Sequence, residues 1–265
     1  MLVTDKFVFL HFPHSAGTFV YEVVRKFFPT AREVGYHLPR TLLPAEHLHL
    51  PLLGTVRNPW DFYVSWYHYQ CSNEHYSPSK NALFCCVSED RQLDFVQTIR
   101  NALDLGVSED KLDSLIQALP EDFDYQKRRI PNLTRGFMRT IRGTALGLYT
   151  FRFNEMFGQG DDVFFCRVEN LRNDLMEFFE KIGVASDELR RHVLGLDRKN
   201  ISEHRHYSTY YTPALADLVL TRDRQVVERF GFTFEDMLQN TDAAKPLRDT
   251  DRVRYSRLKC PSPWS

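Results

Sequence analysis

No apolar run in this chain approaches the ~20 residues that a membrane-spanning helix requires. The chain also has almost no net charge: 34 Lys and Arg stand against 35 Asp and Glu, which gives −1 at pH 7. That balance excludes a general polyanion binder. Nucleic acid and membrane surfaces are therefore not expected partners, and any anion site must be a local concentration of donors. The five cysteines (Cys71, Cys85, Cys86, Cys166 and Cys260) are odd in number and lack metal-ligand spacing. No metal centre is expected, and the adjacent Cys85 and Cys86 read as ordinary buried thiols. Asp5 and Lys6 interrupt the first apolar residues, so no signal-peptide pattern is seen and the cytoplasm is the expected location. Internal repeats and low-complexity tracts are absent as well.

What is present suits a large soluble core: 43% hydrophobic and 26% charged residues, with 21 Phe and 12 Tyr among 265 positions. Such a length favours one α/β domain over residues 1–239. Beyond it, residues 240–265 are charged and proline-spotted and read as an extended arm. Buried strands are predicted over 7–12, 52–56 and 162–168. Val20, Val23, Val24 and Phe27 recur at helical spacing before Pro29 stops the helix. Pro59 opens a helix over 60–70 that is aromatic nearly all round. Further helices are predicted over 93–105, 111–119, 134–148, 171–182 and 211–230, with 71–90 as a polar insertion. Strands alternating with helices predict a parallel sheet with helices on both faces, which binds ligands at the carboxyl ends of its strands.

Two of those strand ends carry chemistry. The first, "HFPHSAGTF", presents small residues and free amides at a helix N-terminus, where an anion can approach the backbone. A turn capped by Ser15 or Thr18 is the plainer reading of the same residues. The Walker A pattern is absent, and His14 stands where a phosphate loop commonly has lysine. The second, "VRNPWDFYVSWY", holds Arg57 at a strand end and Ser65 eight residues on, two helical turns along the same face. A guanidinium offers forked donors to phosphate, although Arg57 paired with Asp61 and Ser65 as a packing residue is the structural alternative.

Read together, these loops resemble those of sulfotransferases that use 3′-phosphoadenosine 5′-phosphosulfate (PAPS). Pro13, Ser15, Gly17 and Thr18 match the family's Pro-Lys-Thr-Gly-Gly-Thr run, with Ala16 for glycine and His14 for lysine. "FCRVENL" (165–171) and "ERFGFTF" (228–234) are similar to later family segments, so the likeness runs from about Phe7 to Phe234. The resemblance implies a P-loop-NTPase-like sheet, here the sulfotransferase fold. It implies transfer of a sulfuryl group from PAPS to a hydroxyl or amine of a small-molecule or saccharide acceptor, without a metal, leaving the product PAP. It gives His14, Ser15, Ala16, Gly17, Thr18 and Phe19 to the 5′-phosphosulfate, and Arg57 and Ser65 to the 3′-phosphate. Lys199, Arg205 and Tyr207 are further donors in a late segment, while Glu169 braces the site and Arg167 approaches the nucleotide, or either forms a structural ion pair.

His37, in a His-x-Pro element, is the expected base, with His11 as competitor and a packing histidine as the plain alternative. His14 assists the leaving group if protonated or if its N–H points at the bridging oxygen, and nearby phosphates favour the charged form. The alternatives are a nucleotide-dependent kinase and a non-catalytic sulfotransferase-like binding protein. Lys127, Arg128, Arg129, Arg135, Arg139 and Arg142 read either as a greeting for an anionic acceptor or as a solvated helix face.

Overall fold

Residues 52–56, Leu-Leu-Gly-Thr-Val, are buried without interruption, the pattern of a strand covered on both faces. A computed structural model describes the chain over residues 1–124, 132–196 and 204–234. The chain is an α/β protein whose five strands form one mixed sheet. The strands are β1 (Leu2–Val3), β2 (Val8–Leu10), β3 (Arg32–Glu33), β4 (Leu52–Val56) and β5 (Val163–Arg167), in spatial order β3-β1-β2-β4-β5. The central β2, β4 and β5 are parallel, in the register Leu10↔Gly54↔Phe165. Only β1 is reversed: it pairs antiparallel with β2 on one side and with β3 on the other. The expected mainly parallel sheet is thus found as a mixed one, with a parallel core and a reversed strand, β1, near its edge. The cause is local: Thr4 Oγ1 accepts from Phe7 N at 2.9 Å and closes a hairpin that folds β1 back onto β2. That turn also shortens the predicted strand 7–12 to Val8–Leu10.

Eleven α-helices occur among the described residues. They are α1 (Gly17–Phe27), α2 (Pro59–Ser72), α3 (Ala82–Ser88), α4 (Phe95–Leu103), α5 (Glu109–Ala118), α6 (Arg135–Arg139), α7 (Leu148–Phe157), α8 (Leu171–Lys181), α9 (Asp187–Gly195), α10 (Pro213–Arg222) and α11 (Arg224–Phe230). None is long and apolar enough to cross a membrane. The chain divides into two compact units. One comprises Met1–Arg57, Asp122–Leu133 and Arg152–Ile201, and the other Asn58–Glu121, Thr134–Phe151 and Ser202–Ser265.

The first unit holds the whole sheet. On one face Phe7, Phe9, Leu53 and Cys166 meet Val20, Val23 and Val24 of α1, Leu175 and Phe179 of α8, and Leu189 and Val193 of α9. On the other, Phe153 and Phe157 of α7 pack on Phe165 with ring centroids 5.3 and 4.8 Å apart. Gly54 leaves room there, since a Cβ at that position would lie 2.7 Å from the Phe157 ring. Side chains alternate between these faces with the period of two that a strand imposes.

In the second unit, Asn58 caps α2 by accepting from Trp60 N at 3.0 Å, and Pro59 occupies its first turn. The predicted insertion at 71–90 contains α3, whose seven residues are too few to display a period; Phe84 packs edge-on against Trp66 at 5.3 Å. The helix predicted over 134–148 ends early. Gly143 takes φ +74° and donates its N–H to the Gly106 carbonyl at 2.8 Å, and only α6 remains of it. The helix predicted over 211–230 starts at Thr212 and Pro213 as expected but divides at Asp223, whose carboxylate turns inward. Cys85 and Cys86 are free and half-buried, and Cys166 is free and buried. The arm at 240–265 lies outside the described residues.

Candidate functional site

Leaving β2, the chain turns sharply before α1. His14 and Ala16 both take φ +56°, a left-handed conformation that side chains with a Cβ adopt at a cost. Between them Ser15 is wholly buried and donates from Oγ to the Pro13 carbonyl at 3.4 Å. Gly17 then starts α1 pressed against the His11 ring: a Cβ there would lie 1.9 Å from its Cδ2 and Nε2. Only glycine admits that approach. Ala16 at the N-cap offers no side-chain cap, and the first turn holds no acidic residue to offset the helix's positive end.

Parallel pairing of β2 with β4 brings the residues after both strands to one sheet edge. There Arg57 donates from Nη1 to the His14 carbonyl at 3.3 Å. A second guanidinium belongs to the same unit. Arg152, on α7, is 6% exposed and makes no hydrogen bond or ion pair with the described residues. Burial lowers its pKa to about 10, so it remains a cation at neutral pH; Glu155, half-buried on the same helix, opposes that shift. The helix is seated at the loop by its aromatic rings, with Phe157 and Phe153 at 5.7 and 6.2 Å from Phe12.

Three imidazoles gather beside these cations. His37, also left-handed at φ +53°, has Nδ1 2.8 Å from the His11 carbonyl. A carbonyl only accepts, so Nδ1 carries the proton and Nε2 holds a lone pair. The His37 ring lies 4.4 Å from that of His11 and 4.0 Å from that of Tyr36. Burial first, then His11 and Arg152, hold the His37 pKa well below the usual value, against the bond to the His11 carbonyl. His11, expected to be buried and hydrogen-bonded, is buried, but its Nδ1 finds no partner. Burial, then the amino terminus and His14, push its pKa to about 3.

His14 is likewise pushed down to about 3, by burial and then by the charges of Arg152 and Arg57. In the unliganded protein it is therefore a neutral imidazole and not a lysine-like cation. The positive charge at this edge comes from the two arginines. Arg152 escaped the sequence reading because its neighbours are ordinary core residues. The available signal was a single charge inside the apolar run Tyr149-Thr150-Phe151-Arg152-Phe153.

The remaining expected residues are dispersed. Thr18 is exposed on the first turn of α1, whereas the Phe19 ring belongs to the core. Ser65 is buried on α2 in the second unit. That unit also holds Arg205, exposed, with its N–H donated to Tyr210 Oη at 3.0 Å. Tyr207 is buried in a 3-10 turn against Phe234. Lys199, Lys127, Arg128 and Arg129 lie outside the described residues. Arg135 pairs with Glu121 at 2.9 Å, and Arg142 pairs with Asp113, as on a solvated face. The backbone N–H of Arg167 donates to Asp174 Oδ2 at 2.7 Å. Among the described residues no group of His, Cys, Asp and Glu is arranged to hold a metal ion.

The chain matches no family model, no curated protein and no solved structure.

Proposed function

We propose that this protein is a cytoplasmic PAPS-dependent sulfotransferase of the sulfotransferase fold, acting on a hydroxyl or amine of a small molecule or saccharide. One observation carries the reading. A strand-to-helix loop whose N-cap Ala16 offers no side-chain cap lies at the carboxyl edge of parallel strands, touched by Arg57 and within electrostatic reach of the buried Arg152. Such an edge suits a compact polyanion, because backbone donors and guanidinium groups stabilise charge without reorganising.

In this reading the loop from His14 to Phe19 takes the 5′-phosphosulfate through its amides and hydroxyls. Arg57 and Ser65 are the residues that the resemblance assigns to the 3′-phosphate, with Lys199, Arg205 and Tyr207 as its late donors. The acceptor oxygen or nitrogen bonds to sulfur while the bridging S–O bond breaks. The electron pair leaves with PAP, and the acceptor's proton passes to Nε2 of His37. The tautomer set by the His11 carbonyl leaves that atom unprotonated. Positioning and charge stabilisation do most of the work in such transfers, and a base adds ~10²–10⁴ in rate. A kinase reading has less support, because the loop lacks the Walker lysine.

The test is calorimetric titration with adenosine 3′,5′-bisphosphate (PAP), AMP and magnesium-ATP, repeated with Arg57→Ala. The expected result is a preference for the bisphosphate that falls ~10–100-fold in the variant, the cost of one or two charge-assisted bonds. Equal affinity for all three nucleotides, or none, would overturn the proposal.

A further inference from the structure

We infer that Arg152 supplies the fixed positive charge for the 5′-phosphosulfate end of the nucleotide, from a helix on the opposite face of the sheet from α1. The inference rests on the sulfotransferase reading and adds a residue that the resemblance does not supply. In the family it is a loop lysine that steadies the departing phosphate; here His14 stands at that position and is neutral. Arg57 touches the loop through the His14 carbonyl, and α7 adds a second cation within reach of the same histidine.

Two independent features point from Arg152 to a ligand. A largely buried guanidinium is costly unless paired, and the one opposing charge that acts on Arg152 among the described residues is Glu155, half-buried on its own helix. It also lies within electrostatic reach of both His14 and His37 and helps to hold each neutral. The helix is held in that position by Phe153 and Phe157 against Phe12, which makes the cation part of a rigid element. A bound 5′-phosphate or sulfonate would provide the missing partner, and the bridging oxygen would develop its charge beside it. Arg152 therefore acts as a binding and leaving-group residue, with His14 reduced to a neutral N–H donor.

Three variants are titrated with PAP and with adenosine 3′-monophosphate: Arg57→Ala, Arg152→Met, and His14→Lys combined with Arg152→Met. Wild type is expected to prefer the bisphosphate ~10–100-fold, the worth of charge-assisted contacts to the 5′-phosphate. Arg152→Met is expected to erase that preference while still binding the 3′-monophosphate, which also shows that the variant is folded. Arg57→Ala is expected to weaken both ligands alike. The double variant is expected to regain the preference, because a lysine at position 14 returns a cation to the loop, and a purely structural arginine would not be rescued in this way. A preference that survives in Arg152→Met, or a loss that lysine does not restore, overturns the inference and leaves the sulfotransferase reading standing. Wild-type protein that binds neither nucleotide overturns both.

Discussion

Asp223 and Arg152 are both buried charges, one in each compact unit, and they are treated in opposite ways. Asp223 is surrounded by donors. Tyr63 Oη gives its proton to Oδ2 at 2.8 Å, and Thr150 N donates to Oδ1 at 2.9 Å. Tyr63 Oη in turn accepts from Tyr149 N at 3.1 Å, so two orphan amides of the first turn of α7 are satisfied by side chains far away in sequence. Gly147 makes this possible, since a Cβ there would lie 2.4 Å from Oδ1. Arg152 has no such shell. A satisfied buried charge organises the fold around it, whereas an unsatisfied one is a standing cost that a ligand is positioned to relieve.

The contrast is most exposed at Asp223. Asp223→Ala strands the Tyr63 hydroxyl and the Thr150 amide together, and the expected loss is about 3–5 kcal/mol of unfolding free energy, measured by urea denaturation. A loss below about 1 kcal/mol would mean that the network is ornamental and the comparison fails.

Next in size is a pH effect. Burial raises the Asp223 carboxyl to about 6 against the donated bonds. The folded state thus holds this proton more tightly than the unfolded chain, whose aspartate titrates near ~3.9. Its contribution to stability is full below ~4, declines by roughly 1.4 kcal/mol per unit as pH rises towards about 6, and is gone above that. Subtracting the stability curve of Asp223→Asn from that of wild type isolates this term; a flat difference between pH 4 and 6 would contradict it.

The smallest effect has the opposite sign. Replacing Arg152 by methionine removes an unpaired buried cation and keeps the apolar stem. The unliganded protein is expected to gain about 1–2 kcal/mol, read as a raised thermal midpoint. A stability loss of that size would show that Arg152 has structural partners after all and would align it with Asp223.

The local elements were legible because their causes are local. The short run Leu-Leu-Gly-Thr-Val before Arg57-Asn58-Pro59 marked β4 to its ends, and helical spacing followed by Pro29 marked α1. Asn58 with Pro59 announced the start of α2, and Thr212 with Pro213 that of α10. The loop between β2 and α1 stood out from its small residues alone, and its close packing on His11 accounts for Gly17. The reversed strand was not legible, since β1 and β3 are two residues each and β1 owes its direction to the turn at Thr4. Nor was the division of the last helix, which follows from a carboxylate drawn to an amide 73 residues away.

The same line runs through the candidate site. Composition and loop chemistry were enough to point to an α/β chain with a small-residue turn between its first core strand and helix, because such residues are read position by position. Protonation and charge were not readable in this way. His14 and His37 are neutral because of burial and of Arg152, a residue remote in sequence, and the proton on His37 Nδ1 is dictated by a carbonyl it meets only in the folded chain. Desolvation and through-space charge depend on which residues are neighbours, and that is set when the sheet and its helices assemble.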